Sequence, residues 1–399
     1  NDTINMVATL NGYDKIDGGD GIDTLTMNAA ALGTQFAQTT NIEALTFNPS
    51  TGNQAVNLAK VPASITTVTS NNSDSTDDTS SETVTFSNHT TQLIGVKHTV
   101  ADAGVDGNGD GANITVTGAV DTAADEVSVK LFSTGGISGG TGGKGVAVLN
   151  VASYETVNIE SDGTVGGTTS NTVNTLTATK ASTVNITGDG KLTVSATGLP
   201  SVGTVTIDAS GLAAALVMTT GAITGDYTLG QKSSTLVMGT GLNSSDKITG
   251  GAGVADAVSA TLNGLTATTG KLDLTGVEAL VATTSGANTI DLSGVTGLGL
   301  LGVTDNKQTI KGLDLSTTIK LGTNGDASAT SAEIDVTAAD ATGTDDTLKV
   351  AVNATLAPTA IIDASNIENL ALTIGTDTTQ TAATTTLDMR TFEGTAITV

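Results

Sequence analysis

Cysteine and tryptophan are absent from the 399 residues, and aromatic residues make up only 2% of them. Without cysteine the chain has neither disulfides nor thiol chemistry. With so few rings it cannot fill a thick globular interior, whereas narrow stacked coils need only a thin core. Basic residues are also scarce: 15 Lys and Arg stand against 40 Asp and Glu, a net charge of −25. That balance repels phosphate backbones and excludes nucleic acid as a partner, while inviting divalent cations. No apolar run approaches the ~20 residues of a membrane-spanning helix, so no membrane insertion is expected. Four prolines are too few for long stiff linkers.

What is present is short and β-like. Thr and apolar residues alternate with period two, as in Thr204-Val205-Thr206-Ile207 and Leu192-Thr193-Val194. Gly, Asn, Asp or Ser breaks each run, and the β-branched residues favour extended backbone. The chain is therefore expected to be all-β: an elongated β-solenoid (parallel β-helix or β-roll) with short irregular insertions. A string of β-sandwich domains has the same local signature and is the alternative. Only the Ala-rich pieces at 28–37 and 212–216 suit a turn or two of helix. The stretches 70–81 and 135–145 read as flexible or lobe-forming.

One pattern recurs: an Asp two residues before an apolar position, then an apolar-Glu step opening another strand. It occurs as Asp23-Thr24-Leu25 with Ile42-Glu43-Ala44-Leu45, as Asp256-Ala257-Val258 with Val277-Glu278-Ala279-Leu280, and as Asp346-Thr347-Leu348 with Ile367-Glu368-Asn369-Leu370. A looser copy is Asp125-Glu126-Val127 with Tyr154-Glu155-Thr156-Val157, its gap lengthened by a glycine-rich insertion. The repeats divide the chain into four diverged modules, 1–122, 123–243, 244–343 and 344–399, the last cut short. Asn1-Asp2-Thr3-Ile4 reads as the tail of a further repeat, so a segment of a longer polypeptide is expected.

Three stretches carry metal-ligand chemistry. In residues 14–27, Gly18, Gly19, Asp20, Gly21 and Asp23 follow the order of the calcium-binding nonapeptide G-G-x-G-x-D. The glycines allow carbonyls to turn inward, and Asp23, Asp14 and Asp17 supply carboxylates. Asp14 and Ile16 precede Asp23 and Leu25 by nine residues, the spacing of two successive nonapeptide turns. Asp106-Gly107-Asn108-Gly109-Asp110-Gly111 matches the first half of an EF-hand loop, with oxygens from Asp106, Asn108 and Asp110. Thr117 stands where its bidentate Glu belongs, leaving Asp102 or Asp121 to complete the shell. Residues 246–256 repeat the first stretch through Asp246, Gly251, Gly253 and Asp256, but the extra Ala255 is expected to shift the carboxylate and leave a vestigial turn. Asp345 and Asp346 read as a plain turn, and Asp74, Asp77, Asp78 and Glu82 as a solvated loop.

Material for catalysis is thin. His89 and His98 are the only histidines and read as surface or core polar residues. The run 139–144 fails as a phosphate loop, because Ser138 replaces its first glycine and Gly145 follows Lys144. Among 40 acidic residues a carboxylate pair suited to glycoside chemistry means little. No enzymatic activity is expected.

The residues Gly18-Gly19-Asp20-Gly21-Ile22-Asp23-Thr24-Leu25, with the degenerate copy at Gly250-Gly251, resemble the RTX (repeat-in-toxin) class. The Thr-rich strands with Ile-Glu-Ala-Leu steps are similar to the β-strand-repeat surface-layer (S-layer) proteins of Gram-negative bacteria of the Caulobacter and Campylobacter type. The nonapeptide resemblance covers under a tenth of the chain and the strand style nearly all of it. The resemblance implies type I secretion, an extracellular location on the bacterial surface, Ca²⁺ as the assembly trigger and a non-catalytic homo-oligomeric lattice. Cell-surface polysaccharide or lipopolysaccharide would be its further partner. An RTX adhesin or biofilm-matrix protein binding glycans or surfaces is the runner-up, and a secreted polysaccharide-modifying β-helix enzyme the third reading.

Overall fold

The computed structural model describes residues 1–6, 10–28, 36–48, 53–72, 83–98, 112–132, 145–163, 170–262, 270–284, 288–304, 306–321, 332–340, 345–353, 359–365, 367–375, 386–390 and 396–398. The chain is a parallel β-solenoid. Among the described residues there is no α-helix, a 3-10 turn spans Leu58–Lys60, and no helix is long and apolar enough to cross a membrane. The helix expected at 212–216 does not form. Leu212 ends the strand Thr204–Leu212, Leu216 opens Leu216–Thr220, and both side chains are buried.

The chain divides into two compact units, Asn1–Thr219 and Thr220–Val399. In the first, the backbone alternates between two sheets. One holds Thr3–Met6, Thr24–Asn28, Ala44–Asn48, Thr67–Asn72, Leu93–His98, Glu126–Phe132, Thr156–Asp162, Thr183–Gly188 and Thr204–Leu212, each pairing with the next. The other runs through Gln54–Asn57, Thr83–His89, Ala112–Gly118, Val146–Asn150, Ser170–Val173 and Lys191–Ala196. In the second unit, one sheet passes through Thr235–Val237, Ala257–Leu262, Ala279–Thr284, Leu300–Thr304, Thr318–Leu321, Thr347–Asn353, Asn369–Gly375 and Ala396–Thr398. Between these strands the chain visits Thr224–Thr228, Lys247–Thr249 and Asp273–Thr275, and then the five-stranded sheet from Asn288–Asp291 to Thr386–Arg390.

Period-two alternation is what permits the stacking. Each strand turns one set of side chains inward, and in-register parallel pairing piles like upon like. In the first unit the inward ladder runs Leu25, Leu45, Val68, Ile94, Val129, Ile159, Ile186, all buried. In the second it runs Leu236, Val258, Leu280, Leu301, Ile319, Val350, Leu372. Aliphatic side chains span so thin an interior; one aromatic contact, Phe47 against Phe86 edge to face at 5.8 Å, packs between the two sheets of the first unit. Outward positions carry Thr and Asn, and stacked amides bond between coils, as in Asn71 to Asn48 and Asn185 to Asn158.

The register corrects the nonapeptide reading. Thr24 pairs with Thr3 and with Ala44, so coils here repeat at 21 and 20 residues. Residues nine apart do not stack: Ile16–Asp17 pairs with Thr39–Thr40, at another point of the coil from Leu25. A nine-residue turn is too short to visit two sheets and return.

Candidate functional site: stacked carboxylates at the coil corners

The recurring sequence pattern is one structural device. The Asp of one coil faces the Glu of the next, and the Asp N–H donates to a Glu Oε2: Asp23 to Glu43 at 2.8 Å, Asp125 to Glu155 at 2.9 Å, Asp256 to Glu278 at 2.7 Å and Asp346 to Glu368 at 3.0 Å. In return the Asp carbonyl accepts the N–H of Glu43 and Ala44, of Glu155 and Thr156, of Glu278 and Ala279, and of Asn369. The following strands enter in identical register, Thr24 on Ala44, Glu126 on Thr156, Ala257 on Ala279 and Thr347 on Asn369. The chain reaches each Glu from a corner, so a side-chain carboxylate, not a ladder carbonyl, receives the Asp N–H. A hydrogen bond to a charged group adds ~1.5–3 kcal/mol. The apolar residue before each Glu (Ile42, Tyr154, Val277, Ile367) and the residue two after each Asp (Leu25, Val127, Val258, Leu348) are buried. Each part of the motif thus has an occupation, and Asp345 and Asp346, read as a plain turn, belong to it as well.

Asp23 and Asp256 extend the stack one coil back. Asp23 Oδ1 accepts the N–H of Asp2, and Asp256 Oδ1 that of Ser234 at 2.7 Å. Both side chains are fully buried. The extra Ala255 therefore does not displace the carboxylate, contrary to the shift expected from sequence. The insertion is absorbed in the loop, while the contacts on either side are kept. Gly18 N–H reaches the Thr40 carbonyl at 3.2 Å, and Gly250 N–H the Thr275 carbonyl at 2.8 Å. Asn41 and Gly276 each turn the corner with left-handed backbone, at φ 49° and 63°. A Cβ on Gly18 would lie 1.9 Å from the Asn41 carbonyl oxygen, and one on Gly250 1.7 Å from that of Gly276, which is why only glycine fits.

The other singled-out carboxylates cap turns. Asp14 accepts the N–H of Asn11 at 2.8 Å and Asp246 that of Asn243 at 2.8 Å. Asp246, which is buried, also accepts the N–H of Gly225 at 2.9 Å. Burial pushes both Asp246 and Asp256 above the usual carboxylate range, against the pull of their backbone N–H partners. Asp17 is exposed and held below it by the Asn41 amide at 2.8 Å and the Gly19 N–H at 3.2 Å. Asp20 and Gly21 are exposed on the loop; Gly19 and Gly21 take positive φ, 80° and 126°, and Gly253 packs closely on Ser233. Ile22 and Val254 stand exposed at corresponding places in the two turns.

Calcium needs several hard oxygens around one point. At the first turn two are present. Asp23 Oδ2 is buried with no hydrogen-bond partner among the described residues, and it lies 3.0 Å from the Cβ position at Gly18 that also meets the Asn41 carbonyl. At the second turn the matching Asp256 Oδ2 is taken by the Gly251 N–H at 2.9 Å. The two turns therefore differ in this oxygen, without a partner among the described residues at Asp23 and bonded at Asp256. Among the described residues no three His, Cys, Asp or Glu side chains gather closely enough to hold a metal by themselves. Asp102, Asp106, Asn108 and Asp110, the acidic run 74–82 and most of the glycine-rich insertion lie outside the described residues. Asp121, suggested for the EF-hand-like shell, is instead paired with Lys180 at 2.6 Å.

Sequence reasoning missed one contact. His89 is buried, its Nε2 is 2.9 Å from the Gln92 carbonyl, and its Nδ1 accepts from the Tyr154 hydroxyl at 3.0 Å. No local signal ties residues 65 positions apart. No protein-family model, no curated protein and no solved structure matches the chain.

Proposed function

We propose that this chain is a structural protein, a calcium-stabilised subunit of a self-assembling bacterial surface layer, and that it performs no catalysis. The observation that carries this reading is the fourfold Asp–Glu stack. Acidic residues that could have converged on a substrate are spent on joining successive coils, which is the work of a scaffold. Calcium enters at the first turn, where Asp23 and the Asn41 carbonyl would hold it and Asp17 and Asp20 lie on the same loop. A cation that binds the folded turn and not the unfolded chain stabilises by mass action, about 2.7 kcal/mol at a hundredfold excess over Kd. Bound between copies, it would also offset the repulsion of subunits carrying −25 each. An extracellular lattice, with polysaccharide or lipopolysaccharide beneath it, follows from the same reading.

The test is electron microscopy of the purified protein with and without calcium. Ordered two-dimensional sheets that form with calcium and dissolve in EDTA are expected. Dispersed particles in both conditions would remove the surface-layer reading, and a thermal midpoint indifferent to EDTA would remove calcium.

A further inference from the structure

The buried histidine ties together coils that do not touch through their strands. Thr83–His89, Ala112–Gly118 and Val146–Asn150 are successive neighbours in one sheet. His89 stands opposite Gly118 in the middle strand, yet its ring bonds to Tyr154, which follows the third. The contact passes over Gly118, where a Cβ would stand 3.8 Å from the Tyr154 hydroxyl. The two rings meet edge to face, with centroids 5.5 Å apart. Around them is a cavity of about 190 Å³ lined by Thr90, Gly118, Ala119, Val120, Asp125 and Glu126 besides the pair itself.

Both ring nitrogens are committed in the neutral form. Nδ1 accepts from Tyr154, so the proton sits on Nε2 and is donated to the Gln92 carbonyl. A second proton would make Nδ1 a donor facing the hydrogen of the Tyr154 hydroxyl. That hydroxyl would have to turn and give its hydrogen elsewhere. The titratable groups on the cavity wall are Asp125 and Glu126. The Asp125 carboxylate is already occupied by the Thr122 N–H and hydroxyl, and Glu126 takes the Asn158 amide. Behind Asp125, Lys180 pairs with Asp121, and Glu155 accepts the Asp125 N–H. Among the described residues no carboxylate therefore forms an ion pair with the ring, and an imidazolium there is buried without such a partner.

We propose that His89 and Tyr154 form an acid-released staple: protonation of His89 opens the cavity and frees the 118–125 turn from the coils on either side. Burial holds the His89 pKa below its ordinary value. For such a base, stability is complete above the open-state value of about 6.5 and is lost as pH falls toward the folded one.

Hydrogen exchange of the full chain between pH 7.5 and 5 tests this. Protection of Ala112–Gly118 and of the backbone around Tyr154 should fall about tenfold per pH unit once His89 begins to charge in the open state. His89→Gln, whose amide both accepts and donates, should remove that dependence, whereas His98→Gln should keep it. Equal pH dependence in wild type and His89→Gln would overturn the proposal. Should His89→Gln fail to fold, the histidine NMR titration of the wild type decides. A His89 ring titrating at or above the ordinary value, with unchanged protection of the turn, would also overturn it.

Discussion

A backbone N–H at the mouth of a parallel strand must find an acceptor or lose stability, and in this chain the acceptor is repeatedly a glutamate one coil away. Truncating one therefore strands a part-buried donor. Glu278→Ala should lower unfolding stability by about 1–3 kcal/mol, because Asp256 N–H loses the Glu278 acceptor. Glu278→Gln keeps an oxygen at the same reach and should lose about half as much. Urea unfolding of the two variants measures the difference, and equal losses would mean that the methylenes, not the oxygen, matter. The two buried carboxylates share one pH sign. Asp246 and Asp256 are pushed up by burial, so their contribution is complete below about pH 3.9 and is lost as pH rises through their raised folded values. Asp256→Asn should accordingly destabilise more at pH 3 than at pH 7, as thermal melts at the two pH values would show.

At the scale of the element, the two glycine-pair turns are one design carried out with different residues. Asn41 and Gly276 hold the same left-handed corner. Gly276→Asn should cost less than about 1 kcal/mol and Gly276→Val about 1–3 kcal/mol, since β-branching disfavours positive φ. Gly250→Ala is the harsher change. Its Cβ would meet the Gly276 carbonyl at 1.7 Å, so the coils must part, at a loss of at least about 2 kcal/mol in a denaturant series. The turns differ where it matters for an ion. Asp23 keeps a buried oxygen without a partner among the described residues, and Asp256 gives its counterpart to Gly251. Asp23→Asn should therefore abolish most of the calcium-dependent rise in melting temperature, and Asp256→Asn should leave that rise in place while lowering the baseline.

At the scale of the molecule, charge and periodicity dominate. With a net −25 the folded state repels itself, and screening helps it. Raising sodium chloride from low to physiological strength should raise the melting temperature. Calcium at far lower concentration should do more, because a site-bound ion acts by mass action and not by screening. A calcium effect no larger than that of magnesium at equal ionic strength would argue for screening alone.

The sequence by itself determined an all-β chain and the location of its recurring parts, whereas the choice of β-solenoid over a string of sandwiches rested on the parallel register. Alternation of Thr with Val, Leu and Ile dictates strands with one buried face, and scarce aromatics dictate a thin interior. The Asp and apolar-Glu steps were visible at all four places, down to the looser one at Asp125 and Glu155. Their partnership was not visible, because it depends on which residues the register sets opposite one another. The gaps from Asp to Glu are 20, 30, 22 and 22 residues, so no single period marks them. Tertiary structure alone decided that residues 14 and 23 belong to one coil, that Ala255 is absorbed without moving Asp256, and that His89 meets Tyr154 across an intervening strand. The physical reason is the same in each case. Local alternation specifies which face a side chain takes, whereas stacking specifies its neighbour, and loops of unequal length between strands leave that second choice to the packed core.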